Sequence, residues 1–210
     1  MTIEQTREKI MSDDDFVLAE VNKVQYLYGL QRVIRSGLTR TESIKTESVA
    51  DHVYALGVLA TYFSKIEELP ELNWSRVQAL ITWHDIDEIE TGDTPGFLKT
   101  TTTLQDEVAA LQKTITQAPT VLQYDIASVI DEYKKQETIE ARFVKALDKI
   151  DPCFYLLNEN GKEVFRVSPA TKEQHCRIKE PYVRHFPYIN RFYEVTLVVF
   201  ERDGYFKNDL

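Results

Sequence analysis

A chain of 210 residues with 43% hydrophobic and 11% aromatic content can bury a large core, roughly 70% of its unfolded surface, which excludes a disordered protein. The formal net charge of −9 excludes a nucleic-acid polymer as partner, because phosphate backbones demand clustered Lys and Arg. A small phosphate ester stays possible, since it needs only a cation or two.

Seven glycines and seven prolines are few, which favours long helices. The segment Met1 to Asp15 is polar and acidic, without the basic-then-apolar pattern of a secretory signal, and no apolar run has membrane-spanning length. Cys153 and Cys176 are too few for a disulfide framework and are expected as free thiols in a cytoplasmic protein. With no repeat, low-complexity tract or long linker, a single domain over 1–210 is expected.

The first helical pattern runs from about Asp15 to Arg35, with Phe16, Val17, Val21, Val24 and Leu27 recurring at helical spacing; Ser36-Gly37 stops it, leaving Arg35 at the exit. Thr39 to Thr46 is polar. Thr46 or Ser48 can cap the next helix, whose stripe is Val49, Val53, Leu56, Ala60 and Phe63, with His52 beside it; Pro70 ends the pattern. Asn73-Trp74-Ser75 opens a third helix in which Val77, Leu80 or Ile81, His84 and Glu88 share a face. Gly92 stops it, and Asp93-Thr94-Pro95-Gly96 reads as a turn. Helices over Thr103 to Ile115, Thr120 to Lys135 and Thr138 to Leu157 follow, the last with Phe143, Leu147, Ile150 and Phe154 inward and Asp148 on an adjacent face. Asn158 to Pro181 reads as a loop region with a short hairpin around Glu163 to Val167. A last helix covers Pro187 to Glu201 with an aromatic face suited to the core or a dimer interface. Seven or so helices and almost no alternation predict an all-α domain.

The chemistry concentrates at Trp83-His84-Asp85-Ile86-Asp87-Glu88 and Thr91-Gly92-Asp93. One histidine at the end of an apolar stripe is most often a hydrogen-bonded core residue. An adjacent aspartate diverges from it by about 100° on a helix, and a metal between the two would account for burying both. Imidazole and carboxylate together suit Mn, Co, Zn or Fe. His52 is the other histidine on a core helix, and Asp148 is a carboxylate that would be costly to bury alone, its plain alternative being exposure or a pair with Lys145.

The pattern His52, His84-Asp85, Asp148 resembles the signature of HD-domain metal-dependent phosphohydrolases. With Arg35-Ser36-Gly37, Glu47 to His52, His84 to Glu88, Thr91-Gly92-Asp93 and Phe143 to Asp148, it is similar to the HD-domain 5′-nucleotidase (5′-deoxynucleotidase) family over about Phe16 to Leu157; the segment 158–210 carries no match. The resemblance implies one divalent ion, Mg among the candidates, on His52, His84, Asp85 and Asp148. It implies Arg35 on the substrate phosphate, Glu88 and Asp93 as the proton-handling pair, a nucleoside 5′-monophosphate as substrate, and a homodimer. Arg40 is a candidate second phosphate ligand, with a solvated loop arginine as its alternative. Family members often carry an aromatic after the phosphate-binding arginine that disfavours a ribose 2′-hydroxyl. Ser36 stands there instead, which bears on the deoxy preference. No histidine lies between His84 and His175, which favours a mononuclear centre over a dinuclear one. The rival readings are an HD hydrolase of triphosphates or cyclic nucleotides, disfavoured by a scarcity of basic residues near the site, and a metal-binding nucleotide sensor without turnover.

Overall fold

The structure is a computed structural model that describes residues 1–35, 47–69, 71–96, 98–167 and 170–206. Arg40 and Ser36 lie outside them. The helices are α1 (Ile3–Ser12), α2 (Asp14–Leu27), α3 (Val49–Ile66), α4 (Trp74–Trp83), α5 (Glu88–Thr91), α6 (Thr101–Gln117), α7 (Thr120–Lys135), α8 (Ile139–Tyr155), α9 (Glu159–Val167), α10 (Lys172–Val183) and α11 (Pro187–Arg202), with a 3₁₀ turn at Tyr28–Gln31. The all-α expectation holds, with more helices than the seven or so expected.

α8 is the axis of the fold, packed against α3, α4, α7, α10 and α11. Thr138 caps it by accepting from the Ala141 N–H at 3.1 Å, and nearly every inward position is fully buried, including Phe143, Leu147 and Ile150. A second apolar cluster joins Leu27, Leu30, Val49, Ile86 and Ile126; Trp83 touches both clusters, so the segment just after it lies between two cores. Cys153 and Cys176 are both free, and among the described residues no helix is long and apolar enough to cross a membrane.

Several elements differ from the sequence reading. The helix expected to reach Arg35 ends at Leu27 and tightens into the 3₁₀ turn. Gly29 permits this: a Cβ there would sit 3.0 Å from the Ile89 side chain. The chain then pairs backwards, with Ile34 bridging Ser48, Val49 N–H donating to Val33 O at 2.9 Å and Arg35 N–H to Glu47 O at 3.0 Å. The expected third helix breaks after Trp83, and a turn over 84–87 separates α4 from α5. The expected hairpin around Glu163 to Val167 is helix α9, which Asn158 starts by accepting from the Gly161 N–H at 3.0 Å while Phe165 turns into the core. Neither α1 nor α10 was expected. α1 buries only Thr6, and α10 is interrupted in pattern by charges and by Pro181 near its end.

Ser48 caps α3 reciprocally with Asp51: the hydroxyl accepts from Asp51 N–H at 3.1 Å, and the Asp51 carboxylate accepts from Ser48 N–H at 2.9 Å. Ser48→Ala should lower Tm by about 2–4 °C, the equivalent of about 1 kcal/mol, in a thermal melt. An unchanged melt would mean that the cap is not holding α3 against the Arg35 strand.

Candidate metal centre and adjoining cavity

The break after Trp83 decides what this stretch can do. His84 N–H still donates to Leu80 O, as in an α-helix. After that the bonds run three residues back: Ile86 N–H to Trp83 O at 3.1 Å, Glu88 N–H to Asp85 O at 3.1 Å and Glu90 N–H to Asp87 O at 3.0 Å. This stretch is wound at about three residues per turn, and within it the adjacent His84 and Asp85 side chains reach one point. Asp85 Oδ2 lies 3.0 Å from His84 Nε2 and 3.8 Å from His52 Nε2. α5 is anchored from behind by Glu90, which accepts from the Tyr26 hydroxyl at 2.7 Å and pairs with Lys113.

His52 is fully buried on α3, and Asp148 on α8 presents Oδ1 at 3.5 Å from His52 Nε2. The other oxygen of Asp148 is engaged: the Tyr133 hydroxyl donates to Oδ2 at 3.0 Å, Lys149 sits at 2.9 Å and Lys145 at 3.6 Å. The lysine pair weighed as the plain reading of Asp148 therefore exists, but on one oxygen only. His52, His84 and Asp85 bring one ligand atom each within 4.8 Å of one another.

Both imidazoles are held from their far side. His52 Nδ1 is 2.8 Å from Asp151 Oδ2, and His84 Nδ1 is 3.0 Å from Ile81 O. A carbonyl can only accept, and a buried carboxylate is best used as an acceptor, so each Nδ1 carries the proton and each Nε2 presents its lone pair. Those two Nε2 atoms are buried with no hydrogen-bond partner. Two unpartnered lone pairs flanked by two carboxylates are a poor arrangement for a protein interior and a good one for a divalent cation. The surrounding charges draw a positive charge, a proton or a cation, to this point. Burial and Arg35 oppose a proton on His52, yet Asp148 and Asp151 outweigh them and lift its pKa to about 9. Burial works against ionising Asp85, but the adjacent His84 holds its carboxyl below the usual range. Asp151 was missed from sequence; its only signal was a place three residues after Asp148 on the same helix.

Arg35 enters from the backward-paired strand. Its Nη1 is 3.7 Å from Asp85 Oδ2 and its Nε 3.5 Å from Glu47 Oε1. Burial opposes its charge, and Asp93, Asp85, Asp148 and Glu88 more than offset that. Glu88 is buried with Oε2 unpartnered. Burial, then Asp85 and Asp93, push its carboxyl well above the usual range. Asp93 follows Gly92, whose φ of 70° turns the chain back over the site. Arg35, Asp85, Glu88, Asp93 and Asp148 all line one cavity of about 230 Å³ that continues between α8, α9 and α10.

The sequence-predicted residues His52, His84, Asp85, Asp148, Arg35, Glu88 and Asp93 thus converge, and Arg40 lies outside the described residues. The expected scarcity of basic residues does not hold, because Lys99, Lys145, Lys149 and Lys179 also line the cavity. Lys179 comes from helix α10 and Lys99 from the loop before α6, both far in sequence from the motif, while Lys145 and Lys149 lie on α8 three residues before and one residue after Asp148.

Residues 28–190 match the family model described as HD domain. The chain is 32% identical over 124 residues to a curated 5′-deoxynucleotidase HDDC2 of Xenopus laevis, covering 58% of this chain and 60% of the relative. It is 32% identical over 145 residues to 5′-deoxynucleotidase HDDC2 of Homo sapiens, 67% of each chain. The matched region thus spans about three fifths to two thirds of these relatives. A crystal structure from Magnetospirillum magnetotacticum, described as "Predicted metal-dependent phosphohydrolase", superposes with a TM-score of 0.75 over 91% of this chain and 98% of the other, and at 19% identity it shows the shared fold.

Removing the acceptor behind His52 should loosen the metal, not the fold alone. Asp151→Ala is expected to weaken Mn binding by about 10- to 100-fold in calorimetric titration of chelator-stripped protein. Binding as tight as that of the parent would refute the orienting role.

Proposed function

The chain belongs to the HD domain family, and from that premise we propose that it is a metal-dependent phosphomonoesterase. Its substrates are nucleoside 5′-monophosphates, 2′-deoxy forms first among them, and its products nucleoside and phosphate. The observation that carries the proposal is the pair of buried, unpartnered Nε2 atoms on His52 and His84, set against Asp85 and Asp148 with Arg35 beside them. The relatives named 5′-deoxynucleotidase support the choice of substrate.

His52, His84, Asp85 and Asp148 would hold one divalent ion: Mn, Co, Zn, Fe or Mg. When bound, it supplies a Lewis acid that polarises a phosphoryl oxygen and makes water more acidic. The chain's own residues do the rest. Arg35 offers a planar donor fork that matches phosphate oxygens, and the carboxylates around it keep it charged. Glu88 and Asp93 serve the two proton transfers, from the attacking water and to the departing 5′ oxygen. The unpartnered Glu88 Oε2 gives that pair a free site for a proton. Arg40 is proposed as a second phosphate ligand.

The extra lysines do not favour a triphosphate. Lys99 pairs with Glu107 at 2.6 Å, and Lys145 and Lys149 share Asp148 Oδ2, so their charge is largely spent inside the protein. Residence in the cytoplasm, supported by the free thiols, and a homodimer belong to the same proposal.

Phosphate release from a panel of deoxy and ribo 5′-monophosphates is the direct assay. It should require Mn, Co or Mg after chelation. Glu88→Gln should lower kcat by about 100- to 10,000-fold with the metal still bound, and Arg35→Lys should act mainly on KM. A metal-loaded protein that binds a nucleotide and leaves it intact for hours would instead be a sensor.

A further inference from the structure

The cavity is built differently at its two ends. One end holds Arg35, Asp85, Glu88 and Asp93. The other, between α8, α9 and α10, is walled by Leu156, Val164, Phe165, Ala170 and Ile178. Two polar side chains interrupt that apolar end, and both belong to α10: His175 and Lys179, four residues apart and so on one face. Each is only 5% exposed. His175 Nε2 is buried without a hydrogen-bond partner. Its ring stacks on Tyr193 at 5.8 Å with an interplanar angle of 7°, and Phe165 and Phe206 pack near it. Burial, with Lys179 nearby, drives its pKa down to about 2, so it is a neutral imidazole with one donor and one acceptor nitrogen. Lys179 donates to Lys149 O at 2.5 Å. That carbonyl lies inside α8, where the helix already supplies a donor, and no carboxylate pairs with the ammonium among the described ion pairs.

A histidine buried only for packing is normally satisfied, and a buried lysine is normally paired. Here His175 Nε2 has no partner and Lys179 has a helix carbonyl but no carboxylate, and the two stand in the wall of the cavity that begins at the candidate metal centre. We propose that His175 and Lys179 are specificity-determining residues that read the edge of the substrate base, Lys179 donating to a ring carbonyl, so that the site prefers 6-oxopurines and 4-oxopyrimidines to their amino counterparts. The apolar walls take the faces of the base, as in other small-molecule pockets where a few polar groups fix orientation. An exocyclic amino group would set donor against donor at Lys179. The inference rests on the nucleotide reading of the site, and names the part of the nucleotide that the far end of the cavity takes.

Equilibrium binding tests this without turnover. The full chain carrying Glu88→Gln is titrated with pairs that differ in one oxo-for-amino exchange: deoxyinosine against deoxyadenosine 5′-monophosphate, and deoxyuridine against deoxycytidine 5′-monophosphate. The oxo member of each pair should bind about tenfold more tightly, as one charge-assisted hydrogen bond allows. His175→Phe keeps the ring in its stack, and Lys179→Met keeps the stem in its channel. Each should bring the ratios toward one. In the chain with native Glu88, each should raise KM for the oxo substrates and leave kcat unchanged. Tm of His175→Phe should stay level or rise, because a buried nitrogen without a partner has been replaced by an apolar ring edge. Equal binding within each pair, or ratios that survive His175→Phe and Lys179→Met, would overturn the inference. Discrimination by base with no phosphate released by the native chain would leave it standing and remove only the hydrolase reading.

Discussion

Two lone pairs that have nowhere to go set the terms for this structure. Asp151 and Ile81 O take the protons of His52 and His84 on one side, and the opposite nitrogens then face Asp85 and Asp148 across a gap with no donor in it. In an interior of low dielectric, that much converging negative potential is a destabilising element unless a cation sits in it. The fold accepts it because the inward faces of α8 and α3 otherwise supply much of the main apolar core, with Leu56, Phe63, Phe143 and Leu147 fully buried. The lysines flanking Asp148 offset part of the charge from its far oxygen, and Arg35 does so at 3.7 Å from the same Asp85 Oδ2 that faces the imidazoles.

Local backbone geometry puts the second half of the site in place. After Trp83 the α-helix gives way to a turn of three-residue bonds, and Trp83 can stand at the break because it packs into both apolar clusters at once. The same turn drops Ile89 against Gly29, which fixes the 3₁₀ turn and the strand that carries Arg35. Arg35 and the His84–Asp85 pair are thus positioned by one contact chain: Trp83, Ile86 and Ile89, Gly29, then the bridge from Ile34 to Ser48.

The sequence made the ligand types and the core helices legible, because both are local patterns. His52 and His84 end or flank apolar stripes, Asp148 rides a strongly amphipathic helix, Ser48 is the one of the two offered residues that caps α3, and α4 and α8 start where expected, behind Asn73 and Thr138. It did not reveal what depends on long-range pairing. Nothing near Arg35 announces that its N–H will donate to Glu47 O instead of continuing a helix. Asp151 acquires its role only when α3 crosses α8. α9 and α10 were hidden for a compositional reason. Charged residues crowd their exposed sides, and the inward residues that matter, Phe165, His175 and Lys179, are too mixed in polarity to make an apolar stripe.

That last failure has a physical meaning. A helix face that reads poorly as core is one whose buried positions are not optimised for burial. On α10, His175 and Lys179 replace residues that would pack at less cost, and α10 packs extensively on α8, the best-formed helix of the chain. A large core can carry such a loss, and marginal stability does not require every inward position to be apolar. The polar groups that break the pattern of α10 therefore belong with those that break the pattern at the end of α4. In both places the hydrophobic period stops where a cavity begins, and Glu88 and His175, each with a buried atom that lacks a hydrogen-bond partner, line that same cavity.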